Sequence, residues 1–183
     1  MRRVMDFFQT IEARQSIRAF ASAPVDPEKL QAILDAAVNQ SPSAGNLQAY
    51  QVYVLTDAAD RRALSRVAIG RKGLQQTFVA EAPAVLVFCA DPERSAQQYG
   101  QRGRELFAIQ DATIACTYAS LAAAAMGLGS CFVGSFDPDG VRRVIGAPEG
   151  ITPITILPIG YPASRPPRRQ RRPMGELIHE VRR

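Results

Sequence analysis

Apolar residues recur at a helical spacing at the start of the chain. Val4, Phe7, Phe8 and Ile11 follow the i, i+3, i+4, i+7 pattern, which places them on one face of a helix. The pattern predicts a first amphipathic helix that ends near the segment ARQS.

Capping signals predict two further helices. Asp26 is a suitable N-cap and Pro27 suits a first helical turn, so a second helix is predicted to run to Asn39. Asp57 is expected to cap a third helix that continues to about Ile69. The second helix has an apolar stripe along one face, made of Leu30, Ile33, Leu34, Ala37 and Val38.

Four segments have strand character. YQVYVL is rich in aromatic and β-branched residues. AVLVFCA, which follows LQQTFVAEAP, is a continuous apolar run typical of a strand buried on both faces. SCFVG and PITILPIGY are two more predicted strands, and between them Asp137 and Pro138 predict the start of a short helix.

The longest predicted helix follows the polar segment DPERSAQQYGQRG, which is interpreted as a link between elements. From about Glu105 to Met126 the chain has no proline or glycine, and Gly127 is a natural C-cap. At ~1.5 Å per residue this helix would be about 30 Å long. Its many small side chains permit close backbone approach, so we expect it at the centre of the fold or at a subunit contact.

Together these elements predict a single α+β domain over residues 1–183, in which helices outweigh strands. Residues 161–183 include the proline-rich stretch YPASRPPRRQRRP and are expected to form an extended C-terminal arm.

The composition is typical of a soluble globular protein, since 46% of the 183 residues are hydrophobic. No undiluted apolar stretch reaches the roughly 20 residues of a membrane helix, and the N-terminus lacks the apolar core of a signal peptide. We therefore expect a cytoplasmic protein. The three cysteines fit no metal or haem spacing and are interpreted as core residues. His179 is the only histidine, which argues against catalytic triads and histidine-based metal centres.

The net charge of +5 lies entirely in the arm. Seven arginines and two glutamates fall between Arg165 and Arg183, whereas residues 1–164 hold 15 basic and 15 acidic side chains. Such an arm is most simply a solvated end of the chain. It could also bind nucleic acid, or place one or two arginines on an anionic ligand.

Known phosphate-binding motifs are absent from the sequence. There is no GxxxxGK[ST] segment, and GLGSCFVG has Phe132 where a dinucleotide fingerprint needs its third glycine. In an extended ARQSIR segment, Arg14, Ser16 and Arg18 would point to the same side. Alone, this set is better explained as a solvated or salt-bridged surface. The segment SPSAGN favours a ligand-binding role for the set, because its backbone amides and short donors could line a planar polar ring.

Five segments, in this order, resemble the FMN-dependent nitroreductase family. They are RQSIR, the helix opened by PVDPEKL and closed by SPSAGNLQ, VAEAPAVLVF, QDATIACTYASLAAAAMGLGSCFVGSF, and RRPMGELIH. The resemblance covers nearly the whole chain. It implies an α+β three-layer sandwich, with a mainly antiparallel central sheet flanked by helices. It also implies a domain-swapped homodimer with FMN at the subunit interface.

The resemblance also implies roles for individual residues. Arg14 and Ser16 would hold the phosphate and ribityl region of FMN, and Gln15 and Arg18 would lie along the flavin. Near the pyrimidine edge, Arg18 would stabilise the negative charge that develops on hydride transfer, so no side chain is expected to act as a general acid. The other implied contacts are the partner-subunit segment of Pro42, Ser43, Ala44 and Asn46, the ring-edge contact of Gln75, the turn of Gly134 and Ser135 near N5, and the phosphate contacts of Arg171 and Arg172.

The implied activity is hydride transfer from NADH or NADPH, through FMN, to a nitroaromatic, quinone or similar planar acceptor. In one alternative the protein binds FMN but catalyses a different reaction, such as reductive dehalogenation, flavin fragmentation or azoline dehydrogenation. A noncatalytic flavin-binding role is another. A nucleic-acid-binding protein that uses the arginine arm is the least favoured, because the arm lacks interleaved aromatic residues.

Overall fold

The computed structural model of the protein describes residues 5–181, so Val4 of the predicted first helix lies outside them. Within this range one antiparallel sheet has the strand order β1–β2–β4–β3. Every residue of the central strand β2 is buried, as its continuous apolar sequence predicts. The strands are β1 (Tyr50–Leu55), β2 (Ala84–Ala90), β3 (Gly129–Ser130) and β4 (Thr152–Gly160).

Helices form most of the remaining regular structure. A π-helical turn, Gly103–Phe107, joins α5 to α6. The α-helices of the described range are α1 (Phe7–Ala13), α2 (Pro27–Val38), α3 (Ala58–Val67), α4 (Phe78–Glu81), α5 (Pro92–Arg102), α6 (Ala108–Ala125) and α7 (Pro138–Ile145).

The two faces of β2 pack against different helices. Leu86 and Phe88 belong to a core layer that they share with α2 and α6. Val85 and Val87 belong to a second layer, shared with α3, α4 and α7. The sheet therefore lies between two helical layers, which confirms the predicted α+β three-layer sandwich.

The predicted N-caps are confirmed. The carboxylates of Asp26, Asp57 and Asp137 accept hydrogen bonds from the first-turn backbone amides of α2, α3 and α7. The end of α3 differs slightly from the prediction, because the helix stops at Val67 and not near Ile69.

The interpretation of DPERSAQQYGQRG as a link is wrong, because this segment forms α5. Asp91 caps the helix by accepting a hydrogen bond from the Arg94 amide at 3.1 Å. Gly100 leaves the helical conformation at φ 57° and ψ −141°, and the chain then continues through the π-helical turn into α6. The predicted long helix consequently begins later, with its α-helical part at Ala108 instead of Glu105.

The predicted strand SCFVG forms only in part. Its ladder with β4 covers Gly129 and Ser130 and resumes as a single bridge between Val133 and Ile156. In this register Pro158 would lie opposite Cys131. A proline has no N–H to donate, which explains the interruption.

The described residues include one continuous helical stretch, Pro92–Ala125, that is long and apolar enough to cross a membrane by length and composition alone. The core helix of a soluble protein meets the same criteria. Here α6 belongs to the core layer against β2 and β4, and half of its 18 residues are buried.

The apolar stripe of α1 faces solvent in the single chain. Phe7 and Phe8 are 63% and 79% exposed, and Thr10 is the buried residue of this helix. The arm is also exposed from Ala163 to Val181, with a short 3₁₀ turn at Met174–Glu176.

Candidate functional site

The segment after α1 runs beside β3. Ser16 forms a parallel bridge with Ser130, and the Ile17 amide donates to the Ser130 carbonyl at 2.9 Å. The Ile17 side chain is buried against Gly129, where a Cβ would lie 2.5 Å from Ile17 Cγ1. With Ile17 pointing into the core, its neighbours on either side are directed away from it.

Arg14, Ser16 and Arg18 lie near Cys131. The Cys131 thiol donates to the Phe132 carbonyl at 3.7 Å, and the three residues are close enough to it to lower its pKa. Burial raises the pKa of Cys131, while Arg18, Ser16 and Arg14 oppose that rise. Ser16 and Arg18 therefore lie on the side of the segment away from the buried Ile17, as their alternation predicts, whereas Arg14 also lines a cavity together with Gln15 and Ile17. The prediction that the cysteines are core residues is confirmed, since Cys89, Cys116 and Cys131 are all buried.

A narrow cavity lies between the N-terminal segment and the arm. The Gln15 side-chain oxygen is buried there without a hydrogen-bond partner. Arg165 of the arm donates to the Ala13 carbonyl at 3.3 Å, and Arg168 donates to the Glu12 carbonyl. The cavity measures only about 10 Å³, which is room for one water molecule and not for a phosphate group; its lining comprises Ala13, Arg14, Gln15, Ile17, Ala124, Leu128, Gly129, Ser130 and Arg165.

The arginine of the arm that lines the same cavity as Arg14 is Arg165, which no motif in the sequence singles out. Arg171 is exposed. Arg172 forms an ion pair with Glu176 at 2.9 Å. A phosphate role for Arg171 and Arg172 thus stays a prediction.

The predicted partner-subunit segment follows α2. Pro42, Ser43 and Ala44 line a groove of about 550 Å³ together with the π-helical turn and the first half of α6. The Ala44 amide donates to Asp111 Oδ1 at 3.0 Å. Asn46 has a left-handed backbone, with φ 56°. These predicted residues are therefore gathered in one loop at one groove.

The two halves of the predicted site lie far apart within one chain. Arg14 and Gln15 share their cavity with Ala124, near the end of α6, whereas the Pro42–Asn46 loop is bonded to Asp111, near its start. At ~1.5 Å per residue, Asp111 and Ala124 are about 20 Å apart along the helix. A single chain does not bring the two halves together.

Gln75, Gly134 and Ser135 lie near α4. The Gln75 side-chain amide donates to Ser65 at 3.0 Å, and it is Gln76 that donates to the Ser135 carbonyl, at 2.9 Å. A Cβ at Gly134 would meet nothing within 4 Å, so this turn faces open space. The Arg18 guanidinium lies 6.0 Å from the Phe78 ring centroid, at the start of α4. A flavin contact of Gln75 stays a prediction, and Gln76 is an additional residue at this turn.

Residues 11–72 and 70–161 match the Nitroreductase family. The chain belongs to this family. The nitroreductase assignment agrees with a relative from Thermus thermophilus named "NADH dehydrogenase", which is 33% identical over 96% of each chain. It also agrees with "FMN reductase (NADPH)" from Bacillus subtilis, which is 30% identical over 94% of this chain and 72% of that protein.

Solved structures support the same assignment. This nitroreductase-family chain is similar to the NADPH:FMN oxidoreductase from Vibrio harveyi complexed with NAD⁺, with a TM-score of 0.84 and 29% identity over 96% of this chain and 77% of that one. The predicted family and its fold are confirmed.

Proposed function

We propose that this chain is an FMN-dependent oxidoreductase that takes hydride from NADH or NADPH and passes it to a nitroaromatic, quinone or similar planar acceptor. Membership of the nitroreductase family makes it an oxidoreductase with FMN and NAD(P)H as cofactors. The acceptor class and the residue roles below are our proposal.

The observation that carries the proposal is that the segment holding Arg14, Ser16 and Arg18 runs beside β3, where all three residues lie near the Cys131 thiol. An FMN phosphate carries close to two negative charges, and guanidinium groups with a hydroxyl neutralise it without a P-loop. The unpartnered Gln15 oxygen is an acceptor, so it would take a hydroxyl or N–H group of the cofactor and not the phosphate.

FMN, when bound, supplies the hydride-transfer chemistry. The chain's own residues bind and orient it. Arg14 and Ser16 would hold the phosphate end, and Arg18 would place a fixed positive charge where negative charge develops. The open turn at Gly134 leaves room for a planar group against the backbone.

We further propose that two copies complete each site in a cytoplasmic homodimer. The Pro42–Asn46 loop lies about 20 Å along α6 from the Arg14 cavity, so a second copy is needed to supply it. The exposed apolar stripe of α1 supports an association surface. Contacts of Arg165, Arg168 and Arg172 with protein groups argue against a nucleic-acid role for the arm.

The test is an absorbance spectrum of the purified protein, or of protein mixed with FMN, before and after NADH or NADPH is added. We expect flavin bands that bleach with the nucleotide and return when a nitroaromatic or quinone is supplied. A protein that does not bind FMN would overturn the proposal. Bound FMN that NAD(P)H reduces but no such acceptor reoxidises would favour the alternative chemistries of the family.

A further inference from the structure

Asp111 on α6 is the one charged side chain that is buried in the described part of the chain, with 2% exposure. Burial raises the pKa of this carboxyl group, although the nearby backbone of Ala44 and Ala49 lowers it. A buried carboxylate without a cationic partner costs several kcal/mol of folding free energy. We therefore expect Asp111 to have a function that offsets the cost of burying its carboxylate.

The contacts of Asp111 are with one loop. Its Oδ1 atom accepts a hydrogen bond from the Ala44 amide at 3.0 Å, and the Ala49 backbone lies close enough to lower the pKa of the carboxyl group. Its Oδ2 atom is buried without a hydrogen-bond partner. Ala44 opens the 3₁₀ turn after α2, and Ala49 immediately precedes β1. The carboxylate of Asp111 thus bonds to the start of the loop and lies beside its end.

The backbone between Ala44 and Ala49 is unfavourable without such support. Gly45, Asn46 and Gln48 all have left-handed conformations, with φ of 57°, 56° and 50°. For a residue other than glycine this conformation costs about 1–3 kcal/mol and persists only where the surroundings enforce it. The Ser43 hydroxyl helps, because it accepts from the Gln48 amide at 2.9 Å.

Helix α5 restrains the same loop from another side. Arg94 donates to the Leu47 carbonyl at 2.5 Å. A Cβ at Gly45 would lie 2.6 Å from the Tyr99 hydroxyl, so α5 leaves no room for the loop to move toward it. The loop is therefore held by α5 over its middle and by Asp111 at its start.

We propose that Asp111 is a positioning residue for the flavin site, because it holds the Pro42–Asn46 loop in the form that reaches the flavin of a second copy. The inference rests on the proposed function, which assigns this loop to the site. Asp111 acts through the amide of Ala44 and does not itself contact the cofactor.

The experiment compares Asp111→Ala with Asp111→Asn in FMN titrations of the full-length apoprotein, followed by flavin fluorescence. Asp111→Ala should weaken FMN binding about tenfold or more, because the loop loses the acceptor that holds it in the form that reaches the flavin. Asn keeps an oxygen that can accept from Ala44, so Asp111→Asn should recover most of the affinity. Ser95→Ala is the matched control, because Ser95 is also buried and without a partner, on α5.

A second variant removes the donor in place of the acceptor. Ala44→Pro deletes the amide hydrogen at the first position of a 3₁₀ turn, where proline is tolerated, and the preceding Ser43 is already extended at φ −139° and ψ 157°. If the proposal holds, the Asp111→Ala/Ala44→Pro double variant binds FMN no more weakly than the weaker-binding single variant.

A purely structural role gives a different result. Asp111→Ala would then lower the denaturant midpoint while the folded fraction bound FMN with unchanged affinity, and the inference would be overturned. Fully additive losses in the double variant would also overturn it. Failure of the wild-type protein to bind FMN would instead reject the proposed function, whereas wild-type binding with an insensitive Asp111→Ala variant rejects only the positioning role.

Discussion

Arg14 is the residue on which the proposed phosphate site depends most. It follows α1, acts on Cys131 together with Ser16 and Arg18, and lines the cavity that contains the unpartnered Gln15 oxygen. Ser16 and Arg18 reach the site from the same extended segment, so the geometry depends on a few backbone positions.

Arg14→Ala should weaken FMN binding by about 10–100-fold, because the variant loses charge-assisted hydrogen bonds of about 1.5–3 kcal/mol to the phosphate. Fluorescence titration of the apoprotein with FMN measures this. Arg62→Ala, which removes an exposed arginine of α3, is the control and should bind as the wild type does. Unchanged affinity in Arg14→Ala would contradict the assigned role.

The raised pKa of Asp111 predicts how the stability of the protein depends on pH. Because its pKa is raised in the folded protein, its favourable contribution to stability is complete below the ordinary carboxyl pKa of 3.8 and is lost as the pH rises through the raised value. Asp111→Asn removes this dependence, so its unfolding free energy relative to wild type should increase as the pH rises through that window.

Urea unfolding at a series of pH values measures the difference. Glu149→Gln, at an exposed carboxyl group in the loop before β4, serves as the control and should show no such trend. A constant difference between wild type and Asp111→Asn across the window would be the opposing result.

At the scale of elements, the close contact between the Arg14–Arg18 segment and β3 is what positions the arginines. Gly129 permits this contact because its missing Cβ leaves space for the buried side chain of Ile17. The hydrogen bond from Ile17 to Ser130 then fixes the register of the segment.

Gly129→Ala should lower the free energy of unfolding by about 1–3 kcal/mol, because the new methyl group overpacks against Ile17. It should also weaken FMN binding, since the segment must move. Urea unfolding and FMN titration test both effects. Gly175→Ala is a suitable control, because nothing lies within 4 Å of its added Cβ. Equal stability of the two variants would show that the contact is less tight than the structure indicates.

Much of the element pattern could be predicted from the sequence. The capped helices α2, α3 and α7 and the buried strand β2 follow from local signals that the fold reinforces. Helix α5 was missed because its polar composition and Gly100 suggested a link, although Asp91 and Pro92 are the same signal that identified α2. The shortened β3 depends on Pro158 across the sheet, a pairing that no local pattern reveals.

The sequence alone predicts only those parts of the candidate site whose residues are close together in the chain. The alternation of Arg14, Ser16 and Arg18 follows from an extended backbone, and the structure places them together. Asp111 and Arg165 join their partners over 67 and 152 residues of sequence, so their contacts could be found only from the fold.

At the scale of the whole molecule, the exposed apolar face of α1 predicts self-association. We expect sedimentation at twice the 19.9 kDa mass of one chain. Phe8→Glu should shift the population toward the monomer, because Phe8 is 79% exposed in one chain and a carboxylate there would be buried at the interface. Arg62→Glu provides the control, as a charge change on the exposed face of α3. A Phe8→Glu protein that stays dimeric would locate the interface elsewhere.

The length of α6 between its two site contacts also governs how the cofactor is retained. If each flavin needs groups from both ends of that helix, and these come from different copies, then subunit dissociation and cofactor loss are linked by mass action. Dilution would release both together, and excess FMN would hold the subunits together at concentrations where the apoprotein separates. The yellow colour of a dilute solution would thus depend on the protein concentration itself.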